Sequence, residues 1–190
     1  MKIACLLGSP RPKGNSAILA KRLCDAAEKL GASVQTFLLN ELNYKGCQAC
    51  MACKTKLDKC AVQDDLTGVL ENIREADVLV MATPIYFGEM TSQMKGFLDR
   101  VYSYLVPDYM TNPKPCRLAP GKKLVFIQVQ GQPNETLYAD VYPRIENFFK
   151  RYGFAERYFL LACGVRHLGD ISAREESLRQ AEEVGKRIMS

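Results

Sequence analysis

Four of the eight cysteines crowd together as Cys47, Cys50, Cys53 and Cys60, with the spacing Cys-x2-Cys-x2-Cys-x6-Cys. Four thiolates meet the ligand count of a cubane [4Fe–4S] cluster, and the first three have ferredoxin-like spacing. The fourth stands further off and lacks the proline that follows it in ferredoxins. Structural zinc more commonly uses two separated Cys-x2-Cys pairs, although four thiolates also bind zinc. An exposed loop of this kind can also lose an oxygen-sensitive cluster and be left with free thiols or disulfides. An apolar run begins directly after Met1-Lys2 with no signal-peptide pattern, so a cytoplasmic chain is expected and a disulfide framework is the weaker reading. Cys5 and Cys163 lie in or beside apolar runs and read as small core residues, while Cys24 and Cys116 stand apart. His167 is the sole histidine, which excludes a His-rich metal site and argues against a Ser/His/Asp triad; in a short polar connection, it reads as a surface residue.

A second stretch could do chemistry of another kind. Gly8-Ser-Pro-Arg-Pro-Lys-Gly-Asn-Ser16 follows the apolar run 3–7 and precedes Ile18, Leu19, Leu23, Ala26, Ala27 and Leu30 at helical spacing. The loop therefore joins the carboxyl end of a strand to a helix N-terminus, where unpaired N–H groups and the positive end of the helix dipole favour an anion. Gly14 lets backbone approach a ligand, Ser9, Asn15 and Ser16 carry short hydrogen-bonding groups, and Arg11 or Lys13 can offset negative charge. A phosphate monoester suits this set, and an ordinary polar turn would have a similar composition. The loop has neither the Gly-Lys-Ser/Thr ending of a nucleoside-triphosphate loop nor the G-x-G-x-x-G of a dinucleotide turn.

The elements that must position these groups alternate. Strands are predicted at 3–7, 34–39, 78–82, 124–129 and 158–162. Gly31 is the expected C-cap of the first helix. Asp64-Asp65 can cap a helix with Leu66, Val69, Leu70, Ile73 and Ala76 on one face, and Thr91 or Ser92 can cap one carrying Met94, Phe97, Leu98, Val101, Tyr102 and Leu105. A helix with Ile145, Phe148, Phe149 and Tyr152 follows, its start blurred by Pro143. Ser172 and Glu175 form a capping-box signature before Leu178, Ala181, Val184 and Ile188. The segment 107–121 holds four prolines and reads as a long loop. This order calls for one domain, residues 1–190, with a parallel sheet covered by helices on both faces and a cysteine-rich insertion at 43–65. Ligands then bind at the carboxyl edge of the sheet, where the loops 8–16, 83–88 and 130–133 gather.

At 190 residues, with 47% hydrophobic and 25% charged residues, the composition is that of a globular protein. No apolar run approaches a membrane span. The net charge of +5 is modest and its basic residues are dispersed, so nucleic acid is not an expected partner.

Gly8-Ser9-Pro10-Arg11…Gly14-Asn15-Ser16, Thr83-Pro84-Ile85-Tyr86-Phe87 and Lys95-Gly96-Phe97-Leu98-Asp99-Arg100 together resemble the NAD(P)H-dependent FMN reductase group of flavodoxin-like proteins. The motifs reach from the first strand to about residue 102, and the element order agrees to the end. The cysteines with Asp64-Asp65 after them resemble the iron–sulfur flavoprotein branch. The resemblance implies a flavodoxin-like α/β fold, a five-stranded parallel sheet in the order 2-1-3-4-5. It implies FMN, its phosphate on Ser9, Arg11, Gly14, Asn15 and Ser16 and its ring against Pro84, Ile85, Tyr86, Phe87 and Gly88, with Gln130 and Gly131 completing the site. A flavin needs flat apolar contact and backbone groups at its polar edge. With no Trp in the chain, stacking falls to Tyr or Phe. Asp99-Arg100 reads as a structural anchor.

The expected function is an FMN-dependent oxidoreductase using NAD(P)H, with an unidentified electron acceptor and no protein acid or base required. Two alternatives stay open: an FMN/iron–sulfur electron carrier fed by a protein donor, and a zinc-stabilised binding module. A homo-oligomer is expected, with the proline-rich loop near a subunit contact or over a flavin.

Overall fold

The computed structural model describes residues 1–190. Five long strands run parallel: β1 (Lys2–Leu7), β2 (Ser33–Leu38), β3 (Val78–Tyr86), β5 (Lys122–Val129) and β6 (Phe154–Ala162). They are ordered β2-β1-β3-β5-β6, the arrangement expected for the five strands read from the sequence. A sixth, β4 (Glu89–Met90), pairs antiparallel with the end of β3. The helices are α1 (Asn15–Glu28), α2 (Ala52–Thr55), α3 (Leu66–Glu75), α4 (Ser92–Arg100), α5 (Val141–Arg151) and α6 (Glu175–Arg187).

Alternation along each strand divides the core into two layers. Leu79, Met81, Leu124 and Phe126 pack with Leu70, Phe97 and Phe149. Val78, Val80, Val125 and Ile127 pack on the other side with Leu19, Leu23 and Ala181. Because helices cover both faces, the middles of the central strands, Val78–Ala82 and Leu124–Ile127, are apolar at every position. On the second face α1 and α6 approach closely: a Cβ on Gly185 would lie 2.2 Å from the Leu23 carbonyl oxygen, so only glycine fits there.

Several local expectations are corrected. The third strand does not break at Thr83; it continues to Tyr86 and turns through Phe87 and Gly88, both at positive φ, into β4. Positive φ at both central residues is the mark of a tight two-residue hairpin. Pro84 is tolerated there because β1 ends opposite Ala82 and leaves Pro84 a strand neighbour on one side only, Val129 of β5. The last strand starts at Phe154, four residues earlier than expected. In α5, Pro143 falls in the first turn, where its missing N–H costs nothing. That register buries Val141, Ile145 and Phe149 and leaves Phe148 57% exposed. The Ser172–Glu175 capping box does not form. Ser172 lies in a 3₁₀ turn, Asp170–Ala173, whose Ile171 N–H donates to Asn15 Oδ1. α6 then begins behind Arg174 without a side-chain cap. No helix is long and apolar enough to cross a membrane.

The proline-rich segment is irregular as expected. It folds back on residues 104–106 through backbone bonds from Arg117 to Tyr104 and from Val106 to Pro115, and Tyr109 meets Tyr102 edge-on at 5.8 Å.

Candidate functional site: a cleft at the sheet's carboxyl edge and a cysteine pocket

The first strand–helix junction keeps its anion-binding groups free. α1 has Gly14 at its N-cap, no side-chain cap and no acidic residue in its first turn. The backbone N–H groups of Asn15, Ser16 and Ala17 have no acceptor within the chain. The loop before them is held taut: Gly14 N–H donates to the Arg11 carbonyl at 2.9 Å, and Arg11 N–H to Ser9 Oγ at 3.1 Å. A Cβ on Gly14 would come within 3.0 Å of both acceptors. Thr91 ties the loop to α4, donating to the Gly8 carbonyl at 2.7 Å while its oxygen caps Met94 N–H.

These donors open onto a cleft of about 350 Å³. Of the residues expected to hold a cofactor, Ser9, Arg11, Gly14, Asn15, Ser16, Pro84, Ile85, Tyr86 and Gly131 line it. Three others do not. Phe87 stands fully exposed at the hairpin tip, and Gly88 turns beside it, its α-carbon facing Tyr138. Gln130 is buried behind the wall, donating to the Gln132 and Asn134 carbonyls and thereby shaping the loop after β5. Gln128 donates to Gln130 Oε1 and the Tyr138 carbonyl in the same network.

Asn15 has a different part from the one its position in the loop suggests. Its side chain is spent on the chain itself: Nδ2 donates to the His167 carbonyl at 2.9 Å and Oδ1 accepts from Ile171 N–H at 3.2 Å. This brace brings in a loop that the sequence reading left out. The turn after β6 supplies Val165, Arg166 and Leu168 to the cleft, while Val129, Gln132 and Tyr138 come from the β5 side. Arg166 Nε donates to the Gly131 carbonyl at 2.9 Å, and Arg11 reaches the Arg166 carbonyl. Asp170 fastens the turn by accepting from the N–H groups of His167 and Arg166, bonds that hold its carboxyl below the usual range. His167 is exposed, as expected. A signal for this loop was available: it too leaves the carboxyl end of a parallel strand, where ligands gather.

The cysteine segment forms the second feature. Its ends clasp each other, Asn43 N–H donating to Asp65 Oδ2 at 2.7 Å and Asp65 N–H to the Asn43 carbonyl. Cys47, Cys50, Cys53 and Cys60 all line one largely apolar pocket of about 220 Å³, together with Tyr102 and Arg100. No three of these side chains gather as they would around a single metal ion. Cys47 and Cys50 are exposed; Cys53 and Cys60 are half-buried.

Arg100 anchors this segment, but its ion-pair partner is Asp64; Asp99 pairs with Lys95 on the surface. Burial alone would raise the Asp64 pKa, but the Arg100 guanidinium and the N–H groups of Lys45 and Leu66 bring it below the usual carboxylate range. Lys54, also buried, donates to the Tyr102 and Leu105 carbonyls at 2.7 and 2.8 Å. Burial lowers its pKa against the opposing pull of Cys53. Arg117 donates to the carbonyls of Cys53, Ser103 and Leu105 and so joins the proline-rich loop to the cysteine segment. None of residues 107–120 lines the cleft.

A sheet whose five parallel strands run β2-β1-β3-β5-β6, with an uncapped helix N-terminus facing an apolar wall at its carboxyl edge, defines a flavodoxin-like protein. The chain belongs to the NADPH-dependent FMN reductase family, whose model matches residues 1–141. It is 33% identical over 100 residues to an iron-sulfur flavoprotein of Methanocaldococcus jannaschii, covering 53% of this chain and 51% of that one. The match thus spans about half the length of that relative. A putative NAD(P)H-dependent FMN-containing oxidoreductase of Bacillus subtilis is 26% identical over 98% of both chains. Among solved structures, an NAD(P)H:quinone oxidoreductase from Methanothermobacter marburgensis superposes with a TM-score of 0.78 at 18% identity, covering 100% of this chain and 96% of that one, a likeness of fold.

Proposed function

We propose that this chain is an FMN-dependent oxidoreductase that takes electrons from NAD(P)H and passes them to a separate acceptor. One observation carries the reading: the start of α1, with three unpaired N–H groups, brings Asn15 and Ser16 to a cleft whose other wall is Pro84, Ile85 and Tyr86. A phosphate monoester would accept from those N–H groups beside Ser9 and Ser16, with Arg11 offsetting its charge. Pro84, Ile85 and Tyr86 would bear on one face of the ring, and Gly131 would let backbone approach its edge. The cleft's volume falls within the usual range for small-ligand sites. Bound FMN supplies the exchange between a two-electron nicotinamide donor and one- or two-electron acceptors. The protein's share is alignment and the exclusion of water.

FMN should bind more tightly than FAD, because the donors suit a terminal phosphate. The test is Ser16→Glu. Ser16 is buried, and a like charge about 4 Å from the phosphate costs about 4 kcal/mol at an effective dielectric constant of about 20, roughly a thousandfold in affinity. The purified variant should be colourless; normal flavin occupancy would overturn this site.

The cysteine pocket supports a second cofactor. Four thiols around one apolar pocket, two of them already facing cations, suit an anionic group. A cubane presents a separate iron to each thiolate, so its ligands need not converge on a point as zinc ligands must. We therefore favour [4Fe–4S] on Cys47, Cys50, Cys53 and Cys60 over zinc. Such a cluster takes up electrons singly. Anaerobic reconstitution should load about four irons and four sulfides per chain, by the cubane stoichiometry. Stopped-flow mixing with NADPH separates a nicotinamide-dependent enzyme from a carrier fed by a protein.

The clasp between Asn43 and Asp65 supports reading 43–65 as an insertion in one domain. A reducing, cytoplasmic setting suits eight free cysteines. A homo-oligomer would cover Phe87 and Leu168, exposed beside the cleft, and Met110 on the proline-rich loop; light scattering showing a monomer at micromolar concentration would refute it.

A further inference from the structure

The two inner sulfurs of the cysteine pocket are not bare. Arg100 is fully buried and uses every one of its five N–H donors. Nη1 donates to the Lys45 carbonyl and Asp64 Oδ2, and Nη2 to the Val62 carbonyl and Asp64 Oδ1. The remaining donor, Nε, points at Cys60 Sγ from 3.0 Å. Lys54 Nζ lies 3.6 Å from Cys53 Sγ while it caps two carbonyls and stands 3.9 Å over the Tyr102 ring. Both sulfurs therefore accept from a cation. Cys47 and Cys50, on the exposed side, have no such donor.

The two cations differ in one respect. The bidentate contact with Asp64 compensates the charge of Arg100, leaving a directed N–H···S bond. Lys54 has no carboxylate partner, so its charge acts on the pocket uncompensated. Hydrogen bonds to the sulfurs and nearby positive charge both stabilise the reduced, more negative state of a thiolate-held cluster.

We propose that Arg100 and Lys54 tune the cysteine site, donating to Cys60 and Cys53 and raising its reduction potential, with Asp64 as the opposing charge. This rests on the cluster reading above. It predicts shifts of opposite sign, which a purely structural role does not. In protein reconstituted anaerobically with ferrous iron and sulfide, the cluster's midpoint is followed by its paramagnetic signal during a redox titration, and flavin content reports on the fold. Lys54→Met should move the midpoint to more negative potential. Asp64→Asn, which leaves the Arg100 charge uncompensated, should move it to more positive potential. Arg100→Lys, which keeps the charge and loses the fork, should fall between wild type and Lys54→Met. All three should retain wild-type iron. Should the wild-type chain take up no iron, the cluster reading fails and this proposal with it. With wild-type iron in place, equal midpoints, or Lys54→Met and Asp64→Asn moving in one direction, overturn this proposal alone. Loss of iron from Lys54→Met with flavin retained also overturns it, because the lysine would then hold the site together without tuning it.

Discussion

Replacing Asn15 with alanine removes both bonds by which α1 holds the turn after β6. The two losses are unequal. Ile171 is fully buried, so its N–H is left without protein or water, at about 1–3 kcal/mol. The His167 carbonyl belongs to an exposed residue and can turn to solvent, so that bond is worth about 0.5–1.5 kcal/mol. Together they come to about 1.5–4.5 kcal/mol, which for a chain of this size lowers Tm by roughly 3–18 °C. Asn15→Asp separates stability from binding. It keeps the acceptor for Ile171 and places an anion at the start of α1, which favours the helix dipole, but sets its second oxygen against the His167 carbonyl, which must turn to solvent. It should therefore melt between Asn15→Ala and wild type, yet bind FMN worse, because the same anion faces the phosphate. Calorimetry of flavin-free protein and fluorescence titration with FMN measure the two effects. An Asn15→Ala melting point within about 1 °C of wild type would refute the brace, since the two bonds together should lower it by at least about 3 °C. An aspartate variant that binds FMN normally would refute the placement of the phosphate.

Two further outcomes follow from the packing and the charges. Phe149→Ala should cost about 3–5 kcal/mol and Phe148→Ala under about 0.5 kcal/mol, read as midpoints of urea unfolding, because only the first ring is buried. The folded pKa of Asp64 lies below its unfolded value of about 3.9, so its stabilising contribution is complete above that pH and is lost as pH falls through the folded value. Hydrogen exchange in residues 45–64 of metal-free protein, corrected for intrinsic rates, should therefore accelerate in that acid range; an identical acid step in Asp64→Asn would assign it to another group.

What was legible in the chain alone was local. The run 3–7, the loop 8–16 and the apolar stripe of α1 are continuous in sequence, so a strand, a turn and a helix N-terminus could be read together. The strands at 78–82 and 124–129 were legible because the middles of central parallel strands are near-continuous apolar runs. The cysteine spacing was legible for the same reason of proximity. Tertiary structure decided whatever depends on partners distant in sequence. Asn15 stands among phosphate-binding residues, yet its amide is claimed by His167 and Ile171, over 150 positions away. The Ser172–Glu175 signature is sound locally, but the bonds from Asn15 and Asp170 hold a 3₁₀ turn where the cap would form. Asp99-Arg100 reads as a neighbouring pair, whereas burial of the guanidinium demands five acceptors at once, and only the segment 45–64 can supply them. A helix pattern could not choose between Phe148 and Phe149, because that choice is made by the sheet that α5 packs against. Spacing along the chain announces which groups can do chemistry. Desolvation in the folded chain, which pairs nearly every buried polar side chain with a partner, settles which groups stay free for a ligand.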